Sequence, residues 1–124
     1  MTFKELVLKA KFKRRMHGNV PVLELVGDLV DNDVKMFELR LREIYEQEAD
    51  SVIIDISKTD FMDSYGLGTL VYYHNKFLHD SRQMVIMNKN PDSRGFMIQL
   101  FEVTKLNTVL SVVTSEDELE RGRA

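Results

Sequence analysis

Apolar and polar positions alternate near the start of the chain. Leu6, Leu8, Ala10 and Phe12 fall on one face of an extended segment, and Val7, Lys9, Lys11 and Lys13 mostly on the other, which predicts a half-solvated strand. His17-Gly18-Asn19 then supplies turn chemistry ahead of Val20-Pro21-Val22-Leu23-Glu24-Leu25-Val26, so the two strands are expected to pair as an antiparallel hairpin, with Pro21 at the strand's start or on an unpaired side. After Gly27-Asp28-Leu29, the run Asp31-Asn32-Asp33 offers N-caps for a helix to about Glu48, in which Val34, Phe37, Leu41 and Ile44 recur three or four apart. From there strands and helices alternate. Ser51 to Ile56 and Gln83 to Met87 are largely continuous apolar runs, the pattern of parallel strands covered on both faces. Between them Leu67, Leu70, Val71, His74, Phe77 and Leu78 keep helical spacing. Asp92 or Ser93 can cap a third helix carrying Met97, Leu100 and Phe101, and Thr108 to Val113 reads as the last strand. Ser115-Glu116-Asp117-Glu118 has the form of a capping box opening a short terminal helix, with Arg121 and Arg123 near its end. The pattern predicts one α/β domain over residues 1–124, with about four helices and a mixed, mostly parallel sheet whose later strands are joined by right-handed crossovers.

Composition narrows the function classes. A 44% hydrophobic and 30% charged chain can bury a real core, and a net charge of −3 lacks the basic excess usual in a nucleic-acid binder. Without cysteine there are no disulfides, thiolate metal sites or thiol catalysis. No apolar run approaches the ~20 residues that span a bilayer, and the charged N-terminus carries no secretory signal, so no membrane contact and a cytoplasmic location are expected. The basic string Lys9, Lys11, Lys13, Arg14, Arg15 is read as a solvated strand face rather than an anion-binding patch.

The candidate chemistry lies in Phe61-Met62-Asp63-Ser64-Tyr65-Gly66-Leu67-Gly68, which sets the Ser64 hydroxyl between a buried strand and the mouth of a helix. A hydrolase would need a base within ~3 Å of that hydroxyl, yet His74 is ten residues on, roughly 15 Å along a helix, His79 is farther still, and His17 lies in a separate turn whose distance from Ser64 the sequence leaves open. Histidines 74 and 79, about 140° apart on a helix, do not have metal-ligand spacing. Gly66-x-Gly68 lacks the third glycine of a dinucleotide loop, Val71 standing in its place, and no Gly-x-Ser-x-Gly or phosphate loop occurs. Neither catalysis, metal nor cofactor is therefore expected. Asp63-Ser64 could serve as helix caps alone. Against that stand Gly66 and Gly68, each costing about 1 kcal/mol relative to Ala in a helix, which point to a close backbone approach or a bare surface. The helix N-terminus would also tolerate a phosphate.

Val52-Ile53-Ile54-Asp55-Ile56-Ser57 followed by Asp63-Ser64-Tyr65-Gly66-Leu67-Gly68 resembles the signature of the STAS domain, as found in bacterial anti-sigma factor antagonists. The resemblance extends to Gly27-Asp28-Leu29 and to Ser115-Glu116-Asp117-Glu118-Leu119. It implies that Ser64 is phosphorylated by a serine kinase of the histidine-kinase-like ATPase type that is also the anti-sigma factor. A PP2C-type phosphatase would remove the phosphate. Asp28, Asp31, Asp63, Tyr65, Gly66 and Leu67 would form the docking patch, and the unphosphorylated protein would bind the kinase and release its client. Two positions depart from the family. Where it commonly has Gly-Glu-Leu-Asp, this chain has Gly27-Asp28-Leu29-Val30, leaving Asp31 as the candidate stand-in, and Tyr65 replaces an often small residue. The alternative is a STAS scaffold or ligand-binding module of a stress-sensing or transport assembly, without the phosphoswitch.

Overall fold

A computed structural model of the protein describes residues 10–90 and 96–121. Five strands form one sheet in the order β1-β2-β3-β4-β5. β1 (Lys11–His17) and β2 (Val20–Val26) are antiparallel, while β3 (Ser51–Lys58), β4 (Gln83–Met87) and β5 (Ser111–Val113) continue parallel to β2. The mixed α/β architecture is the one the pattern predicts. His17 belongs to β1, paired with Val20, so the hairpin loop is only Gly18-Asn19. Gly18, at φ +59°, occupies the position where a two-residue II′ turn needs positive φ. Pro21 pairs with Met16 and precedes Val22, where the ladder to β3 begins, so its missing N–H breaks no bond on that side.

Strand alternation divides the core. Leu23, Leu25, Val52, Ile54, Ile56, Met84 and Ile86 face three helices: α1 (Asn32–Glu46), α2 (Ser64–His79) and α3 (Phe96–Val103). Val20, Val22, Ile53, Val85 and Met87 pack together on the opposite face. There α5 (Glu116–Arg121) is held by charge: Glu116 meets Arg15 Nη2 at 2.5 Å, His17 Nδ1 at 3.0 Å and Lys89 Nζ at 3.7 Å. Burial opposes the Glu116 carboxylate, but these cations, Arg15 foremost, lower its pKa. Its contribution to stability is thus present above the unfolded pKa and lost as pH falls through the folded one. Arg15 also reaches Asp55, at 3.6 Å, which makes it a structural cation rather than part of a solvated basic face. Lys11, Lys13 and Arg14 are exposed.

Several boundaries differ from the pattern. Helix α1 stops at Glu46 rather than Glu48, because Glu48 turns to φ 60° and its N–H closes onto the Tyr45 carbonyl. Thr108 and Val109 are not strand but the end of a single helical turn, α4 (Leu106–Val109), a fifth helix. Lys105 opens it in the left-handed region at φ 59°, and the Thr108 hydroxyl donates 2.6 Å to the Lys105 carbonyl, a local bond that competes with extension. The Glu118 carboxylate reaches back to the N–H and hydroxyl of Thr114, one residue before the expected capping-box partner. The alternation of Leu6 to Lys9, the caps at Asp92 and Ser93, and Arg123 lie outside the described residues. Among the described residues no helix is long and apolar enough to cross a membrane.

Candidate functional site

Asp63 organises the junction between β3 and α2. It is the N-cap of α2, in extended conformation, and its Oδ1 accepts the Gly66 N–H at 2.8 Å. Its Oδ2 accepts the Asp31 N–H at 3.2 Å, so one carboxylate fastens the α2 terminus to the loop before α1. The backbone makes the same connection: Leu29 donates to the Phe61 carbonyl at 3.0 Å and Asp63 to the Leu29 carbonyl at 3.2 Å, around a parallel bridge between Leu29 and Met62. Leu29 and Met62 are both buried, which anchors the two loops to the core.

Asp28 and Asp31, predicted from sequence as docking residues, are therefore brought beside Asp63 and Ser64, and both are exposed. Asp31 holds the N-cap position of α1 without a side-chain capping bond, at φ 51° and ψ −118°. Its function in the fold is performed by its backbone N–H, on Asp63, which leaves its carboxylate unused by the cap. Asp33, in contrast, is buried at 5% exposure, with Oδ1 unpartnered among the described residues.

Ser64 is the first residue of α2 and is exposed, as is Tyr65. Their N–H groups lie ahead of the first intrahelical acceptor, while the Gly66 amide is taken by Asp63 and the Leu67 amide by the Asp63 carbonyl at 3.0 Å. The two glycines differ. Gly66 is buried, and a Cβ there would stand 2.6 Å from Met62 Cγ and 3.2 Å from the Leu29 carbonyl oxygen, so the loop crossing requires glycine. Gly68 is exposed, and a Cβ there would meet nothing within 4 Å. Leu67 is half-buried and packs against the main core.

Two concavities flank this end of the molecule. Beside Ser64, a groove of about 290 Å³ lies between α1 and α2, lined by Glu38, Tyr65, Gly68, Thr69, Tyr72 and Tyr73. A mostly apolar cavity of about 330 Å³ opens under α3 at the C-terminal ends of β3 to β5, with Ile56, Met97, Phe101 and Val112 in its walls and Asn88 and Thr114 at polar positions. Glu38 escaped the sequence reading. Its i,i+4 spacing to Arg42 was a visible signal of a helix-surface pair, but that it faces α2 depends on how α1 packs.

A STAS domain family model matches residues 11–119. No curated protein matches the chain in sequence. Among solved structures, the chain is similar to an anti-sigma factor antagonist from Mycobacterium paratuberculosis, with 19% identity over 94% of this chain and 96% of that one, at a TM-score of 0.78. It is also similar to SpoIIAA in its unphosphorylated form, with 18% identity over 91% and 96% of the two chains and a TM-score of 0.65. The phosphorylated form of the Bacillus cell fate determinant SpoIIAA gives 21% identity over 90% and 98%, with a TM-score of 0.66. At these identities the likeness is one of fold.

Proposed function

The chain belongs to the STAS domain family, and from that premise we propose that it is an anti-sigma factor antagonist whose binding is switched by phosphorylation of Ser64. The carrying observation is that Ser64 stands exposed at the first turn of α2 while the capping of that turn rests on Asp63. The hydroxyl can thus be modified without removing a bond that holds the helix. In its unphosphorylated state the patch of Ser64, Tyr65 and Leu67, with the Asp28 to Asp31 loop, binds a serine kinase that is also the anti-sigma factor, and displaces its client. Gly66 serves the patch from beneath, by letting the two loops cross.

The kinase, of the histidine-kinase-like ATPase type, supplies ATP and its metal. The Ser64 oxygen bonds to the γ-phosphorus, the bond from that phosphorus to the β,γ-bridging oxygen breaks, ADP leaves, and the hydroxyl proton passes to a base of the kinase. The phosphoserine carries about −1.5 to −2 charges at pH 7. The positive end of the helix dipole favours that charge within the domain. At the interface it adds to Asp28, Asp31 and Asp63 and opposes a surface matched to a neutral hydroxyl. A PP2C-type phosphatase restores the hydroxyl by hydrolysis. The exchange takes place in the cytoplasm, and this chain performs no catalysis.

The test is intact mass after incubation with a histidine-kinase-like ATPase from the same genomic neighbourhood and ATP. One phosphate is expected on the wild type and none on Ser64→Ala; equal gain by both removes Ser64 as the acceptor. The apolar cavity under α3 favours a second reading, a STAS ligand-binding module. That reading predicts no phosphate on the wild type.

A further inference from the structure

The core layer between the sheet and its helices is filled across β2, β3 and β4 and stops short at β5. Leu23, Ile54, Ile86 and Val112 stand in register on these four neighbouring strands. The first three are almost fully buried, but Val112 is 39% exposed. Helix α3, eight residues long, and the single turn of α4 leave the end of the row uncovered. The space beside Val112 is the cavity of about 330 Å³, walled by Ile56, Met97 and Phe101, which are buried, and by the half-buried Ile98. It opens at the carboxyl ends of parallel strands, where α/β sheets commonly take ligands, and its volume is in the range of small-molecule sites. At about 30 Å³ for each water-sized unit, it has room for roughly ten heavy atoms.

We infer that this cavity binds a small uncharged amphiphile, with a hydrocarbon body and a head that both accepts and donates hydrogen bonds, a primary amide or an alcohol. The inference goes beyond both readings of Ser64 and depends on neither. Its grounds are the polar groups among the lining residues. Asn88 Oδ1 already accepts the Asn90 N–H at 3.0 Å, so the side chain has its amide N–H groups left to offer. The Thr114 hydroxyl donates to Glu118, which leaves its oxygen as an acceptor. Glu102 and Asn107 are exposed, and none of the described residues lining the cavity is cationic.

Four ligand chemistries can be compared on these walls. A carboxylate or phosphate would meet Glu102 with no cation to compensate it, because Lys89, next to Asn88, is engaged by Glu116 at 3.7 Å. An ammonium could pair with Glu102, but an exposed pair adds little, and the ammonium cannot accept from Asn88. A plain hydrocarbon would cover the Asn88 N–H groups without an acceptor, which is costly. An uncharged amide accepts from Asn88 through its carbonyl and donates to Thr114 or Glu102 through its N–H, while its chain completes the row that Val112 leaves open.

The test uses the unphosphorylated chain without kinase or ATP. Amide spectra and the methyl signals of 13C-methyl methionine are recorded with octanamide, octanoate and octylammonium through the millimolar range. Octanamide should shift the Met97 methyl and the amides of Ile98 and Val112, with octanoate and octylammonium each at least tenfold weaker. Val112→Phe, which fills the space, should abolish the shifts while a thermal melt confirms folding. Asn88→Asp keeps the acceptor for Asn90 but loses the donors, and should weaken octanamide about tenfold. Glu102→Lys should bring octanoate to within about threefold of octanamide. No saturable shift with octanamide, equal binding of either charged probe, or undiminished binding to Val112→Phe or Asn88→Asp overturns the inference. If octanamide binds as described and the ATPase leaves the chain without phosphate, the cavity assignment stands and the phosphoswitch fails; phosphorylation of Ser64 with no octanamide binding gives the reverse.

Discussion

The two halves of helix α2 are built to opposite ends. Its C-terminal half is committed to the interior: Tyr73 and Phe77 are buried, Tyr45 meets both rings edge-on at 6.4 and 5.1 Å, and Arg82 stacks 3.9 Å from the Tyr45 ring centre. Arg82 also donates through Nη1 to the Tyr45 carbonyl at 3.0 Å and the Ala49 carbonyl at 3.2 Å, so the end of α1, the turn after it and the end of α2 share one cation. The N-terminal half spends its positions differently. Ser64, Tyr65 and Gly68 face outward, and the half is fixed by Asp63 and by the passage of Leu29 under Gly66. Both halves bury an inner face, Leu70 in the first and Tyr73 and Phe77 in the second, but the first is also fixed by backbone and cap, and its outer surface is left free for a partner. A surface that changes occupant should depend little on its own side chains for stability.

Substitutions can break that contrast. The largest effect is expected for Phe77→Ala, a loss of about 3–5 kcal/mol in urea unfolding, with kinase affinity of the remaining folded protein unchanged. Next comes Gly66→Ala, whose methyl must displace Met62 and press on the Leu29 carbonyl, 3.2 Å away. It should destabilise by about 1–3 kcal/mol and also weaken docking, because the loop carrying Asp28 and Asp31 is displaced. Asp63→Ala should cost about 1–2 kcal/mol as a lost cap. Asp63→Asn can keep the bond to Gly66 while losing the acceptor for the Asp31 N–H, so hydrogen exchange at Asp31 should rise in both variants and helix stability fall mainly in the first. The smallest effect carries the opposite sign: Gly68→Ala should stabilise the protein by about 1 kcal/mol. A loss of stability there would mean that the fold itself needs Gly68, and the contrast between the glycines would collapse.

The apolar runs of β3 and β4 and the three- and four-residue spacings of α1 and α2 carried the sheet and its covering helices, since burial dictates those positions. Asp63-Ser64 was legible as a pair of cap candidates at the start of α2, because capping is local chemistry, and the structure divides them into cap and first helical residue. The short α4 was not, since Val109-Leu110-Ser111-Val112-Val113 has strand composition and the helical turn depends on Lys105 adopting positive φ. The contact between Asp31 and Asp63 spans 32 positions and runs through a backbone N–H, so no side-chain pattern announces it. Sequence marked Gly66 and Gly68 together as a close approach or a bare surface. Only the packing assigns one meaning to each.

In the proposed switch, one phosphate on Ser64 changes binding while leaving the fold in place. The most direct measurement compares the kinase affinity of the unphosphorylated chain with that of the Ser64-phosphorylated chain, alongside amide spectra of both forms. A charge switch at Ser64 should give at least a tenfold weaker complex for the phosphorylated chain, with shifts confined to the first turns of α2 and the Asp28 to Asp31 loop. Equal affinity, or shifts spreading through Tyr73, Phe77 and the core strands, would contradict it.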